Sequence, residues 1–168
     1  MKKLFMILPL LLVLSTGALW AADVPKTEFF AGFSVLHVSD NGFKETPYGA
    51  QLSLAGNVNK MFGVAGDFSG EYKDGVKPIY TYLGGPVFSH RLEKVTASAH
   101  ALYGGTHADG DNMFTMGYGG ALDWNASPKV AVRVIQFDWL PIRNSGGGGW
   151  TKNITRYGFG VVFKGGKK

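Results

Sequence analysis

The chain alternates, residue by residue, between bulky apolar and small or polar side chains, in eight segments of about ten residues set off by turn-forming clusters. These segments span residues 27–38, 48–58, 62–72, 79–90, 95–104, 113–124, 130–140 and 153–163. In the last, Tyr157, Phe159, Val161 and Phe163 fall on one side and Arg156, Gly158, Gly160 and Val162 on the other, the two faces of a β-strand. Nowhere does a helical period compete. The connections alternate as well. The second, fourth and sixth ("NVNKM", "RLEK", "NASPK") are short, whereas 39–47, 73–78, 105–112 and 141–152 are longer and rich in Gly, Asp and Asn. Strands of this length with short turns at one end and long loops at the other are the pattern of a membrane-spanning antiparallel barrel.

A soluble barrel gives the same alternation with its apolar face inward, so side-chain volume decides between them. The apolar parity carries Phe29, Phe33, Leu52, Leu54, Phe68, Tyr82, Phe88, Tyr103, Phe114, Tyr118 and the aromatics of the last segment. That is more ring volume than the interior of an eight-stranded barrel holds. The opposite parity carries Ser53, Ser69, Thr81, Ser89, Thr96, Ser98, Gly117 and Gly119, which suit a narrow, hydrated interior. The predicted fold is all-β: an eight-stranded antiparallel up-and-down transmembrane β-barrel with its apolar face in lipid, closed so that every backbone group is bonded. Tyr72, Tyr80, Trp124 and Trp139 fall near strand ends, where aromatic girdles meet the membrane interface.

Composition supports a lipid-facing exterior. Charged residues make up 17% of the chain, against about 25% in an average soluble domain, beside 12 Phe, 7 Tyr and 4 Trp. Residues 1–22 have the anatomy of a cleavable signal peptide: Lys2 and Lys3, an apolar run from Leu4 to Leu14, and a small-residue exit ending at Ala21 and Ala22. The barrel domain is then 23–168. With no cysteine there are no disulfides to staple an exported chain. The net charge of +5 owes much to Lys2 and Lys3 and to a terminal tail of Lys164, Lys167 and Lys168, and no basic stripe for nucleic acid is present.

Two places interrupt the regular pattern. Pro86 lies inside the fourth segment and has no N–H to donate, which predicts a bulge or a strand rim there. In "VAVRVIQFDWL", Arg133 has odd parity while Gln136 and Asp138 have even parity, so a bulge near Val134 or Ile135 is needed to turn all three inward.

The stretches "FFAGFSVLH", "NVNKMFGVAGDFSGEY", "YTYLGGPVFSHR", "KVTASAHALYGG", "GGALDWNASPKVAVRVIQFDW" and "YGFGVVF" cover most of the barrel domain. Together they resemble the small outer-membrane β-barrels of the outer-membrane protein A and opacity-protein group. That resemblance implies a Gram-negative outer membrane as location and outer-membrane lipid as partner. It also implies that Tyr157, Phe159, Val161 and Phe163 form the C-terminal signal read by the barrel-assembly machinery. Two departures stand out: Phe163 is followed by "KGGKK", and Val87 stands where the group's "GP" strand often carries arginine. No peptidoglycan-binding domain follows the eighth segment, so tethering to the cell wall is not implied.

The candidate chemistry lies in the lumen. Asp67, Glu71, His100, Asp123, Arg133, Gln136, Asp138 and Arg156 must each find a partner or water there, because an unpaired buried charge is costly. Carboxylates beside arginines would plug the barrel and fix strand register; a gated conduction path is the alternative. His37-x-Ser39 and Ser98-x-His100 place hydroxyl and imidazole on one strand face, but no acylase or protease motif surrounds them, and no enzyme is expected. The loop His107–Asn112 is oxygen-rich without the ligand spacing of a calcium loop, so no metal or cofactor is expected. The expected function is a non-enzymatic integral outer-membrane barrel, a structural or surface-binding scaffold whose loops 39–47, 73–78, 105–112 and 141–152 meet any surface ligand. A small porin-like channel and a soluble periplasmic barrel binding an apolar ligand are the alternatives.

Overall fold

Eight long strands run up and down in chain order: β1 (Pro25–Asp40), β2 (Tyr48–Asn57), β3 (Phe62–Lys73), β4 (Val76–Arg91), β5 (Val95–Ala108), β6 (Asp111–Asn125), β7 (Val130–Trp139) and β8 (Ile154–Lys167). The computed structural model describes residues 24–40, 43–144 and 149–167. The expected signal peptide, 1–22, lies outside the described residues, as does Asp23. So do Asn41 and Gly42 of the first loop, residues 145–148 of the last, and Lys168. Each strand pairs antiparallel with its sequence neighbours, and β8 returns to pair with β1 from Val38↔Ile154 to Pro25↔Lys167. The sheet therefore closes as an all-β, antiparallel, eight-stranded barrel without a free edge.

The alternation read from the sequence maps onto the two faces of this sheet. Leu54 (58% exposed), Phe163 (51%) and Phe68 (47%) point outward, while Ser69, Gln51 and Arg156 are sealed inside. Rings on adjacent strands meet on the outside, as Phe33 does with Phe159 at 5.4 Å and Phe62 with Phe88 at 5.3 Å between centroids. Such cross-strand pairs hold register.

The barrel corrects four sequence expectations. First, Pro86 brings no bulge. Register with β3 runs unbroken through Val64↔Pro86, and only the β5 ladder lapses, between Gly84↔Tyr103 and Val87↔His100. The missing N–H faces β5, so one bond is lost without displacing the strand. Second, the connections 73–78 and 105–112 are not long loops. Strands extend to Lys73↔Val76 and Ala108↔Asp111, leaving only Asp74–Gly75 and Asp109–Gly110 between them. Gly75 has φ 77°, and Asp109 and Gly110 have φ 56° and 89°, the left-handed geometry that makes Asp-Gly a two-residue hairpin turn. Third, "KGGK" is strand and not tail, because β1 begins at Pro25 and needs a partner through Thr27↔Gly165. Fourth, the interior is not uniformly small and polar.

At the β1–β8 seam, Gly32 lies opposite Gly160. A Cβ on Gly32 would stand 2.3 Å from the Phe159 carbonyl oxygen, and one on Gly160 would stand 2.4 Å from that of Ala31, so the strands approach more closely than side chains allow. The two loops that remain long are partly pinned. Phe43–Glu45 folds back on β1, Ile142–Arg143 pairs with β6, and Trp150–Thr151 pairs with Ile142–Arg143.

Candidate functional site in the barrel lumen

Arg156, on the inner face of β8, is completely buried. Its Nη2 donates to Asp67 Oδ1 and to Asp138 Oδ2 at 2.7 Å each, its Nε to Asp138 Oδ2 at 2.9 Å, and its Nη1 to Ser69 Oγ at 2.7 Å. Asp138 is its direct cross-strand neighbour, whereas Asp67 and Ser69 stand on β3. A planar five-donor guanidinium suits such a hub because its donors fan out in fixed directions.

From this hub the bonds spread through side chains of neighbouring strands. Gln51 Nε2 donates to Asp67 Oδ2 at 2.7 Å, Gln136 Nε2 donates to Asp138 Oδ2 at 2.9 Å, and His100 Nε2 lies 2.6 Å from Asp138 Oδ1. Gln136 Oε1 accepts from Arg133 Nη1 at 2.7 Å, and Arg133 grips Asp123 with Nε and Nη2 at 2.8 and 3.1 Å. Glu71 stands beside this network, its Oε1 accepting from Ser34 Oγ at 2.8 Å. All eight residues expected in the lumen are on the inner face, and seven of them fall into one connected network, with Glu71 held beside it by Ser34.

Two backbone devices make the network fit. Leu122 pairs with Ile135 but Asp123 with Arg133, and Gly158 pairs with Gln136 but Gly160 with Arg133, so β7 carries one extra residue at Val134. Val134 and Ile135 both point outward, and Arg133, Gln136 and Asp138 all point inward. The second device is Gly119, on β6 between His100 of β5 and Asp138 of β7. A Cβ there would lie 2.4 Å from Asp138 Oδ1 and 2.9 Å from His100 Nε2. Only a glycine lets these two residues touch across an intervening strand.

Toward the loop end the lumen turns apolar. Leu36, Leu83, Leu102, Leu140, Ile142 and Ile154 pack into one buried cluster against Val38, Ile79 and Met113. Beside it the hydroxyls of Thr81, Thr106 and Thr115 bond to one another at 3.2 and 2.8 Å. Sequence reading missed this layer because each leucine sits singly among polar residues of the same parity. Leu36 follows Ser34, Leu83 follows Thr81 and Leu102 follows His100, two residues on in each case.

Toward the turn end lies a cavity of about 40 Å³ lined by Ser53, Ser89, Thr96, Ser98, Asp123 and Arg133, among others. That is room for one or two waters. Glu28, which also lines it, holds Arg91, whose Nη2 donates to Glu28 Oε2 at 2.8 Å and Asn57 Oδ1 at 3.0 Å and whose Nη1 donates to the Lys60 carbonyl at 2.9 Å. Phe30, also missed, lies inside with the Arg133 guanidinium 4.4 Å over its ring. The space it needs is left by Gly32, whose Cβ would meet Phe30 Cζ at 2.6 Å.

The hydroxyl–imidazole pairs noted in the sequence do not form relays. His100 turns its Nε2 to Asp138, and His37 faces outward with Nδ1 3.3 Å from Thr46 Oγ1. The sequence 107–112 is a hairpin tip, where Asp109 pairs with Lys77 and His107 Nδ1 lies 3.0 Å from Asn112 Oδ1. The outward residues of β8, Tyr157, Phe159 and Phe163, form an exposed apolar row.

No protein-family model and no curated protein matches the sequence. Solved structures do match. The crystal structure of Ail, the attachment invasion locus protein of Yersinia pestis, aligns with a TM-score of 0.58 at 18% identity, over 83% of this chain and 98% of that one. Neisserial surface protein A aligns with a TM-score of 0.58 at 12% identity, over 83% and 97%. The outer membrane protein OprG from Pseudomonas aeruginosa aligns with a TM-score of 0.54 at 8% identity, over 86% and 97%. The chain has the fold of the small eight-stranded outer-membrane β-barrels, the group that its sequence resembles.

Proposed function

We propose that this chain is a non-enzymatic integral outer-membrane β-barrel of a Gram-negative bacterium, a scaffold whose lumen is plugged. One observation carries the reading: the barrel is inside out with respect to water. Phenylalanines, leucines and tyrosines cover its outer wall, while a guanidinium and its carboxylates are sealed within. In lipid the outer wall is favourable and in water it would be costly, while the sealed guanidinium is offset by its two carboxylates in either solvent. The short turns then face the periplasm and the loops face outward. Residues 1–22 direct export, the barrel-assembly machinery reads Tyr157, Phe159, Val161 and Phe163, and any surface ligand meets loops 39–47 and 141–152, the two long connections at the end that carries the tight hairpins at 73–78 and 105–112.

What supports plugging is the stack along the axis: the apolar layer, the Arg156 hub and the Arg91–Glu28 pair. Reconstituted protein should migrate differently on gels with and without heating, and should give only rare, small conductance events in planar bilayers. A large, steady conductance would move the reading to a porin-like channel. Folding in plain buffer, with one mobility in both gels, would move it to a soluble barrel. For assembly, Phe163→Ser should lower insertion into the outer membrane; equal insertion would remove the signal from β8.

A further inference from the structure

The two rims of the barrel differ in how their charges are arranged. At the loop end, Lys73 pairs with Glu45 and Lys77 with Asp109, and Asp40, Asp74 and Asp111 balance Lys44, Arg143 and Lys152 in number. At the turn end, Lys26, Lys60, Lys94 and Lys129 are exposed, and none of them joins an ion pair among the described residues. They are spread around the rim, at the start of β1 and in each of the three turns. The carboxylates there are few. Glu28 is occupied by Arg91, and Glu93 stands alone beside Lys94. Lys164 and Lys167, at the end of β8, lie on the same rim.

Beside these lysines, in the same turns or on the adjoining outer wall, come Val58, Met61, Phe62, Leu92 and Trp124, all exposed. A lysine next to an apolar band buries its methylenes against that band and holds its ammonium at headgroup level. Resting on the membrane reading, we propose that the turn-end rim binds the phosphates of anionic phospholipids in the leaflet that faces the periplasm. Charge complementarity and the apolar band beneath favour lipid over an acidic protein, which would need no hydrophobic girdle next to its cations. The attraction is electrostatic and falls off within a Debye length, so salt weakens it.

The test uses the full barrel folded into vesicles of phosphatidylcholine, with spin-labelled phosphatidylglycerol or phosphatidylcholine as probe. The motionally restricted fraction gives the relative affinity of each lipid for the protein wall. Phosphatidylglycerol should be preferred about threefold or more. The preference should vanish in K26Q/K60Q/K94Q/K129Q and in high salt, and should persist in the loop-end variant K44Q/K77Q. Equal affinity in the unmodified protein, a preference that survives the fourfold change, or one abolished by the loop-end change would each overturn the proposal, as would capture of an acidic soluble protein without lipid selectivity. Heat-modifiable mobility in pure phosphatidylcholine is read in parallel: failure there overturns the membrane reading itself, whereas insertion without selectivity overturns only the basic rim.

Discussion

On the loop side the lumen is filled by Leu36, Leu83, Leu102, Leu140, Ile142 and Ile154; on the turn side by Arg133, Asp123, Gln136 and a small polar cavity, with Arg156 between. The first half is held by packing, which tolerates changes of volume gradually and of polarity badly. The second is held by directed bonds, where loss of one partner strands another. An eight-stranded barrel is narrow enough to be filled by either means, and this chain holds both along one lumen. On the proposed plugged reading, opening a path requires two unrelated failures.

Three substitutions and one deletion probe that contrast, each read by denaturant unfolding of the folded barrel. Arg156→Ala should cost most, about 3–5 kcal/mol, because Asp67 and Asp138 lose their shared cation in a buried site. A cost near zero would mean that water already serves the hub. Leu140→Ala should cost about 2–4 kcal/mol as a cavity in the apolar layer. It should leave conductance low, since the charged half still closes the lumen; frequent openings would show that the leucines alone form the barrier. Arg133→Ala should cost less, about 1–3 kcal/mol, because Asp123 borders the polar cavity and retains access to water. If the loss equals that of Arg156→Ala, the two arginines form one cooperative unit. Deleting Val134 should cost least, within about 1 kcal/mol. It removes the extra residue and leaves Arg133 and Gln136 facing inward opposite Gly160 and Gly158. Failure of this variant to fold would mean that the bulge supplies curvature that the barrel needs.

The fold was legible because both solvents constrain every strand with the same period, so each of eight segments repeats one message. Site membership was legible for the same reason: Asp67 and Arg156 could only face inward. Partner choice was not. Nothing local says that Arg156 reaches across to β3 while Arg133 keeps to β6, since that depends on barrel stagger. The loops at 73–78 and 105–112 were misread because their polar composition outweighed two Asp-Gly dipeptides that specify tight turns. The apolar layer escaped because it is assembled from single residues on β1, β4, β5 and β8 and two from the last loop, with no run in any one of them.

The Gly32–Gly160 contact gives the seam a kinetic meaning. Every other ladder of the barrel wall joins consecutive strands and can form as a hairpin, but β1 and β8 come from opposite ends of the chain and meet only when the cylinder shuts. That step carries the largest loop-closure entropy in the molecule. At its middle the chain presents two residues without side chains, so the last strands to meet do so with the least steric search.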